Sequence, residues 1–189
     1  MFDVITVVSG LPRSGTSLMM QILAAGGIPP LTDKLRAPDE SNPRGYFEFD
    51  PVKRLRTDRS WIERARGRAI KVIHLLLAEL PIEPQLQYRV IFMRRPLSEV
   101  LASQRAMLER QGKKSADDAL LSKVFQAQLE QAERSLAAQP GFRVLHVEHH
   151  ALFEDPQPTI EQVNQFLGGE LDVSAMTAVI DPALYRQRS

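Results

Sequence analysis

Apolar residues gather along the chain in short runs separated by stretches of helical spacing. Ile5, Val7 and Val8 lie in the first run; Ala69-Ile70-Lys71-Val72-Ile73, Tyr88 to Met93 and Phe142 to Val147 are the others. Such runs are too continuous for strands with one solvated face, and they suit strands buried on both sides of a parallel sheet. Between them, Leu18, Met19, Ile22 and Leu23 recur at core spacing, predicting a helix from Gly15 or Thr16 to about Ala25. Gly26-Gly27 ends it and Pro29-Pro30 prevents its continuation. The pattern predicts one α/β domain over residues 1–189, in three layers, with a central parallel sheet of about four strands and helices on both faces.

The remaining elements follow from local signals. Pro51 to about Ala65 is expected to be helical, capped by Asp50, with Arg54, Arg56, Arg59, Arg64, Arg66 and Arg68 on a mostly solvated face. His74 precedes an apolar helical stretch, Leu75 to Leu80, closed by Pro81. Ser115 is the expected cap of a long helix reaching about Ala138, with Leu121, Val124, Phe125, Leu129, Ala132 and Leu136 inward. Thr159 to Leu167 forms another, ended by Gly168-Gly169. Residues 31–50 are polar and turn-rich, with Asn42-Pro43-Arg44-Gly45 as a turn; they read either as a binding loop or lid, or as a disordered surface excursion.

Composition narrows the partners. A hydrophobic share of 43% with 25% charged residues is that of a globular domain. Lys+Arg 24 against Asp+Glu 23 advertises no surface for a nucleic acid polymer, so any anion must be held locally. The absence of cysteine excludes disulfides, a thiol nucleophile and cysteine-bound metal. No run approaches the roughly 18 apolar residues of a membrane span, and the N-terminal run lacks the basic start of a signal peptide, so the expected location is cytoplasmic.

The chemistry concentrates in Ile5 to Leu23. Gly10-Leu11-Pro12-Arg13-Ser14-Gly15 turns the backbone between strand and helix, and the N–H groups of the following helix start face the turn. This is an anion cradle with the spacing of a P-loop, the domain being P-loop-like, with Ser17 as the hydroxyl. Thr16 stands where the P-loop lysine would be, and Arg13 is the nearest cation. Such a loop suits a single 5′-phosphate better than a Mg²⁺-bound triphosphate. A second pattern follows the third strand: Arg95 leaves the strand end and Ser103 lies eight residues on, two helical turns away, where both can reach one anion. Arg94 is one residue too distant. Lys71 and His74 lie at another strand end, and Glu48 lies between aromatic residues near the expected cleft. As general base the sequence leaves open His74, Glu48 or another carboxylate, with His74 alternatively structural. His146, His149 and His150 lack a fourth ligand at metal-binding spacing, and no metal is expected.

These residues resemble the sulfotransferase family. Pro12-Arg13-Ser14-Gly15-Thr16-Ser17 matches its 5′-phosphosulfate loop P-[KR]-S-G-T-[ST] at every place, and Arg95 with Ser103 matches its 3′-phosphate motif. Phe153-Glu154-Asp155-Pro156 and the segment to Gly168 resemble a further family region. The resemblance implies transfer of a sulfuryl group from 3′-phosphoadenosine 5′-phosphosulfate (PAPS) to a hydroxyl or amine of a small-molecule, carbohydrate or peptide acceptor, by in-line displacement. It implies roles for Lys71 and His74 through the family's K-x-H, although Lys71-Val72-Ile73-His74 is one residue longer, and along a strand one residue reverses the side chain. It sets His149 where a tyrosine near the adenine is usual. The glycine-rich 3′-phosphate loop of longer members is missing, leaving Arg186 or Arg188 as replacement cations. The rival readings are a P-loop kinase or other phosphotransferase, opposed by Thr16, and a catalytically silent nucleotide-binding module.

Overall fold

Four strands form the sheet: β1 (Asp3–Gly10), β2 (Ala69–Lys71), β3 (Leu86–Arg94) and β4 (Phe142–Glu148). All pair in parallel, in the order β2-β1-β3-β4. The structure is a computed structural model that describes residues 3–185, apart from 34, 40, 41 and 43. Val8 lies opposite Lys71 and Ile91, Gly10 opposite Met93, and Arg94 opposite Glu148. That register brings the carboxyl ends of all four strands to one edge, where ligands bind in open α/β sheets.

The helices are α1 (Thr16–Ala25), α2 (Ile62–Ala65), α3 (Leu97–Arg110), α4 (Asp118–Ala138), α5 (Ala151–Glu154), α6 (Pro156–Leu167) and α7 (Val173–Ala178). Single 3₁₀ segments occupy Asp50–Arg54, His74–Glu79 and Pro182–Leu184. Alternate residues of β1 and β3 feed two cores. Ile5, Val7, Val90 and Phe92 pack with Trp61, Leu76, Leu77, Ala132 and Leu136 on the α4 side. Val8, Ile91, Met93 and Val147 pack with Met19, Ile22 and Leu23 of α1, Ile160 and Val163 of α6, and Met176 of α7 on the other. Because both faces are covered there, Val90 to Met93 of β3 is an unbroken, buried apolar run, whereas Leu86 to Val90 alternates buried and half-buried positions.

The four parallel strands and the two helical layers agree with the expectation from sequence. Several local expectations do not hold. The arginine-rich stretch is broken: Asp58 accepts from the Ser60 backbone N–H at 3.0 Å and from the Ser60 hydroxyl at 2.7 Å, a local turn that competes with helix and leaves only Asp50–Arg54 and Ile62–Ala65 wound. The long helix is capped by Asp117, which accepts from the Leu120 N–H at 3.0 Å, two residues beyond Ser115. Its inward stripe begins late, since Val124 is exposed whereas Ala132 and Leu136 are buried. The second strand ends at Lys71 rather than Ile73, and the apolar stretch after it is 3₁₀. Among the described residues, no helix is long and apolar enough to cross a membrane.

Candidate active site

The turn between β1 and α1 is shaped by three residues with positive φ. Gly10 has φ 147°, and a Cβ there would lie 2.5 Å from Ser14 Oγ and 2.6 Å from the Met93 carbonyl. Arg13 adopts φ 69°, a left-handed conformation that is rare for a side chain of its size and that recurs at ligand-binding loops. Gly15 has φ 96°, and its missing Cβ makes room for His149 Cδ2, which would otherwise be 2.4 Å away. Ser14 is buried and donates to the Leu11 carbonyl at 2.7 Å, so its hydroxyl holds the turn closed. Pro12 is exposed at the crest. Gly15 is the N-cap of α1 and no side chain among the described residues caps it, so its first-turn N–H groups are left to face an anion.

Three strand ends meet this turn in a cleft of about 410 Å³, lined among others by Arg13, Ser17, Lys71, Arg95, Ser103 and His149. Lys71 Nζ donates to Ser17 Oγ at 3.1 Å and to the Tyr46 carbonyl at 3.0 Å. Burial, with Arg36 and Arg13 nearby and Glu48 opposing, pushes the Lys71 ammonium down to about 8. Arg13 Nε donates to Ser103 Oγ at 3.0 Å, and burial lowers this guanidinium too. Arg95 Nη1 donates to the Arg13 carbonyl at 3.0 Å. Thr16 and Ser103 are buried beside them. Desolvated cations packed this closely favour a polyanionic occupant.

Glu48 lines the same cleft and pairs with Arg36 at 2.9 Å. The Arg36 guanidinium lies 3.3 Å from the centroid of the Tyr46 ring, and the Tyr46 hydroxyl donates to Asp39. Arg36, Asn42, Tyr46 and Glu48 therefore supply one wall of the cleft, and the Gly45 N–H donates to the Asn42 carbonyl at 3.1 Å. His74 is placed elsewhere. Because β2 stops at Lys71, Ile73 takes the solvent-facing position and is 46% exposed, while His74 turns into the opposite layer. Its ring is buried and its Nε2 lies 3.0 Å from Gln128 Oε1 of α4. Lys71 and His74 thus point to different layers.

His149 follows β4, its N–H bonded to the Arg94 carbonyl at 2.8 Å. Burial, reinforced by Arg95, pushes its imidazole down to about 3, so the ring is neutral and its Nδ1 makes no hydrogen bond among the described residues. It meets Phe153 at 5.1 Å and Tyr185 at 5.0 Å between centroids. Arg94 turns away to Glu133 at 2.6 Å, which also holds His146 at 3.0 Å. None of the arginines from Arg54 to Arg68 lines the cleft. Arg186 and Arg188 lie outside the described residues. A larger cavity of about 680 Å³ between α4 and the ends of β3 and β4 shares only Leu11 and Arg95 with the cleft.

The cleft thus gathers Arg13, Ser17, Lys71, Arg95 and Ser103 beside the open start of α1, with the His149, Phe153 and Tyr185 rings packed together next to Arg95, a donor set that suits an anionic ligand. Sequence reasoning missed Arg36, Tyr46, Glu99, Phe153 and Tyr185. The four-residue spacing of Arg95 and Glu99 was the signal available: across the turn from β3 into α3 the two side chains pair at 2.7 Å.

The sequence matches the family described as Sulfotransferase domain over residues 3–187. No match is found among curated proteins. Among solved structures, the sulfotransferase domain from the Synechococcus PCC 7002 olefin synthase is 17% identical, with all of this chain and 89% of that one covered and a TM-score of 0.55. The sulfotransferase domain from the curacin biosynthetic pathway is 15% identical, covering 100% and 79%, at a TM-score of 0.54. The sulfotransferase from Alicyclobacillus acidocaldarius is 15% identical, covering 97% and 89%, also at 0.54. At these identities the likeness is one of fold.

Proposed function

This chain belongs to the sulfotransferase family, and from that premise we propose that it transfers a sulfuryl group from PAPS to a hydroxyl or amine acceptor in the cleft between the β1–α1 turn and Lys71. The observation that carries the reading is the convergence of Arg13, Lys71, Arg95 and Ser103 on one cleft whose turn has Thr16 in place of a P-loop lysine. PAPS supplies an activated sulfuryl group and leaves as adenosine 3′,5′-bisphosphate.

Arg13, Lys71 and the first-turn amides of α1 hold the 5′ end and stabilise the negative charge that grows on the departing phosphate. Arg95 and Ser103 hold the 3′-phosphate, and neutral His149 offers a face to the adenine. Glu48 accepts the acceptor's proton as its oxygen or nitrogen bonds to sulfur and the bond from sulfur to the 5′-phosphate oxygen breaks. Its place in the cleft supports this role over His74, whose ring is engaged with Gln128. The test is formation of adenosine 3′,5′-bisphosphate from PAPS with a panel of hydroxyl and amine acceptors. Acceptor-dependent product is the expected result; phosphate transfer from Mg²⁺-ATP with no sulfate transfer would overturn it.

A further inference from the structure

Glu99 is a carboxylate in the first turn of α3, only 4% exposed, and it faces Arg95, whose side chain is 8% exposed. Arg95 Nε donates to Glu99 Oε2 at 2.7 Å. The other carboxylate oxygen accepts from the Tyr185 hydroxyl at 2.9 Å, across 86 positions of sequence. The Tyr185 ring stacks on Phe153, with centroids 4.8 Å apart and planes at 27°, and meets His149 edge-on. Glu99 therefore joins two parts of the cleft: on one side the guanidinium assigned to the 3′-phosphate, on the other the aromatic group beside His149.

A buried carboxylate is costly unless its oxygens are paired, and one beside a phosphate site also cancels part of the cation's charge. Its presence is economical only if a fixed guanidinium plane is worth more than the lost attraction. Resting on the nucleotide reading above, we propose that Glu99 is a positioning residue that locks Arg95 toward the 3′-phosphate. Through Tyr185 it ties that cation to the aromatic group that receives the base. The two ends of the nucleoside are then recognised together, and Glu99 sets the preference for 3′-phosphorylated nucleotides over those lacking that phosphate.

The test is calorimetric affinity for adenosine 3′,5′-bisphosphate and adenosine 5′-phosphate, in wild type, Glu99→Ala, Glu99→Gln and Tyr185→Phe. Glu99→Ala should weaken the bisphosphate by about 10- to 30-fold, the scale of one charged hydrogen bond, while changing the 5′-monophosphate by less than about twofold. Glu99→Gln, whose amide still bonds both Arg95 and Tyr185, should recover most of the loss. Tyr185→Phe keeps the ring stack and removes only the hydroxyl, so it should give a smaller loss confined to the bisphosphate, and it serves should Glu99→Ala not fold. The Glu99→Ala effect should vanish in an Arg95→Ala background. Tight bisphosphate binding that ignores Glu99→Ala or Tyr185→Phe, or equal loss of both nucleotides, would remove Glu99 from this role alone. A wild-type protein that does not bind the bisphosphate would overturn the nucleotide reading itself.

Discussion

Arg13 Nε lies 3.0 Å from Ser103 Oγ, so the β1–α1 turn and α3, 90 residues apart in sequence, share a hydrogen bond. Arg13→Ala removes a donor aimed at developing charge, which typically costs about 2.7–4 kcal/mol, so turnover should fall roughly 10²- to 10³-fold. Ser103→Ala should act mainly on nucleotide affinity, and the double variant should be less damaging than the sum, because each single change already breaks the shared bond. Steady-state kinetics with PAPS as the varied substrate measure both effects.

Glu48 and His74 separate the two candidate bases. Loss of a general base costs about 10²–10⁴ in rate, so Glu48→Gln should lower turnover by that range while bisphosphate binding persists. His74→Gln should leave turnover nearly unchanged and lower the thermal midpoint, because the ring is packed against Gln128 in the α4 layer. A large loss of turnover in His74→Gln with Glu48→Gln active would reverse the assignment.

Much of this was legible in the sequence where the signal was local. The β1–α1 turn is spelled out by contiguous residues, and β1 and β3 by runs long enough to exclude a solvated face. The partition of Lys71 and His74 was not legible, because it depends on where β2 ends. That end is set by pairing with β1, which finishes at Lys71 opposite Val8. The break in the arginine-rich segment rests on the Asp58 side chain outcompeting the backbone. The Glu99 to Tyr185 contact joins residues whose proximity only the folded sheet creates.

Lys71 gives the site a pH dependence of known sign. Its ammonium is lowered to about 8 by burial from its ordinary 10.5, so in the free protein stability rises as pH climbs from about 8 toward 10.5, where only the unfolded chain is still protonated. Bisphosphate affinity should run the opposite way, falling as pH rises through about 8, since the anion binds the protonated form. Titration calorimetry in buffers of different ionisation enthalpy should show proton uptake on binding near that pH. Lys71→Met should bind more weakly and lose both dependences.

His149 tests the fit around Gly15. With its imidazole held near 3 against an unfolded value of 6.5, it contributes stability above about pH 6.5 that is lost as pH falls toward 3. His149→Phe should flatten that part of the acid unfolding curve. Gly15→Ala should both strain a φ of 96° and drive a methyl into the ring at 2.4 Å, lowering stability by about 1–3 kcal/mol and abolishing nucleotide binding.

The most direct measurement is the thermal midpoint in the presence of adenosine 3′,5′-bisphosphate, ADP or ATP, each with and without Mg²⁺. A ligand at 100 times its Kd adds about 2.7 kcal/mol of stability, a shift of several degrees for a chain of this size. The cleft described above predicts selective stabilisation by the bisphosphate that is indifferent to Mg²⁺. A response confined to ATP with Mg²⁺ would contradict it.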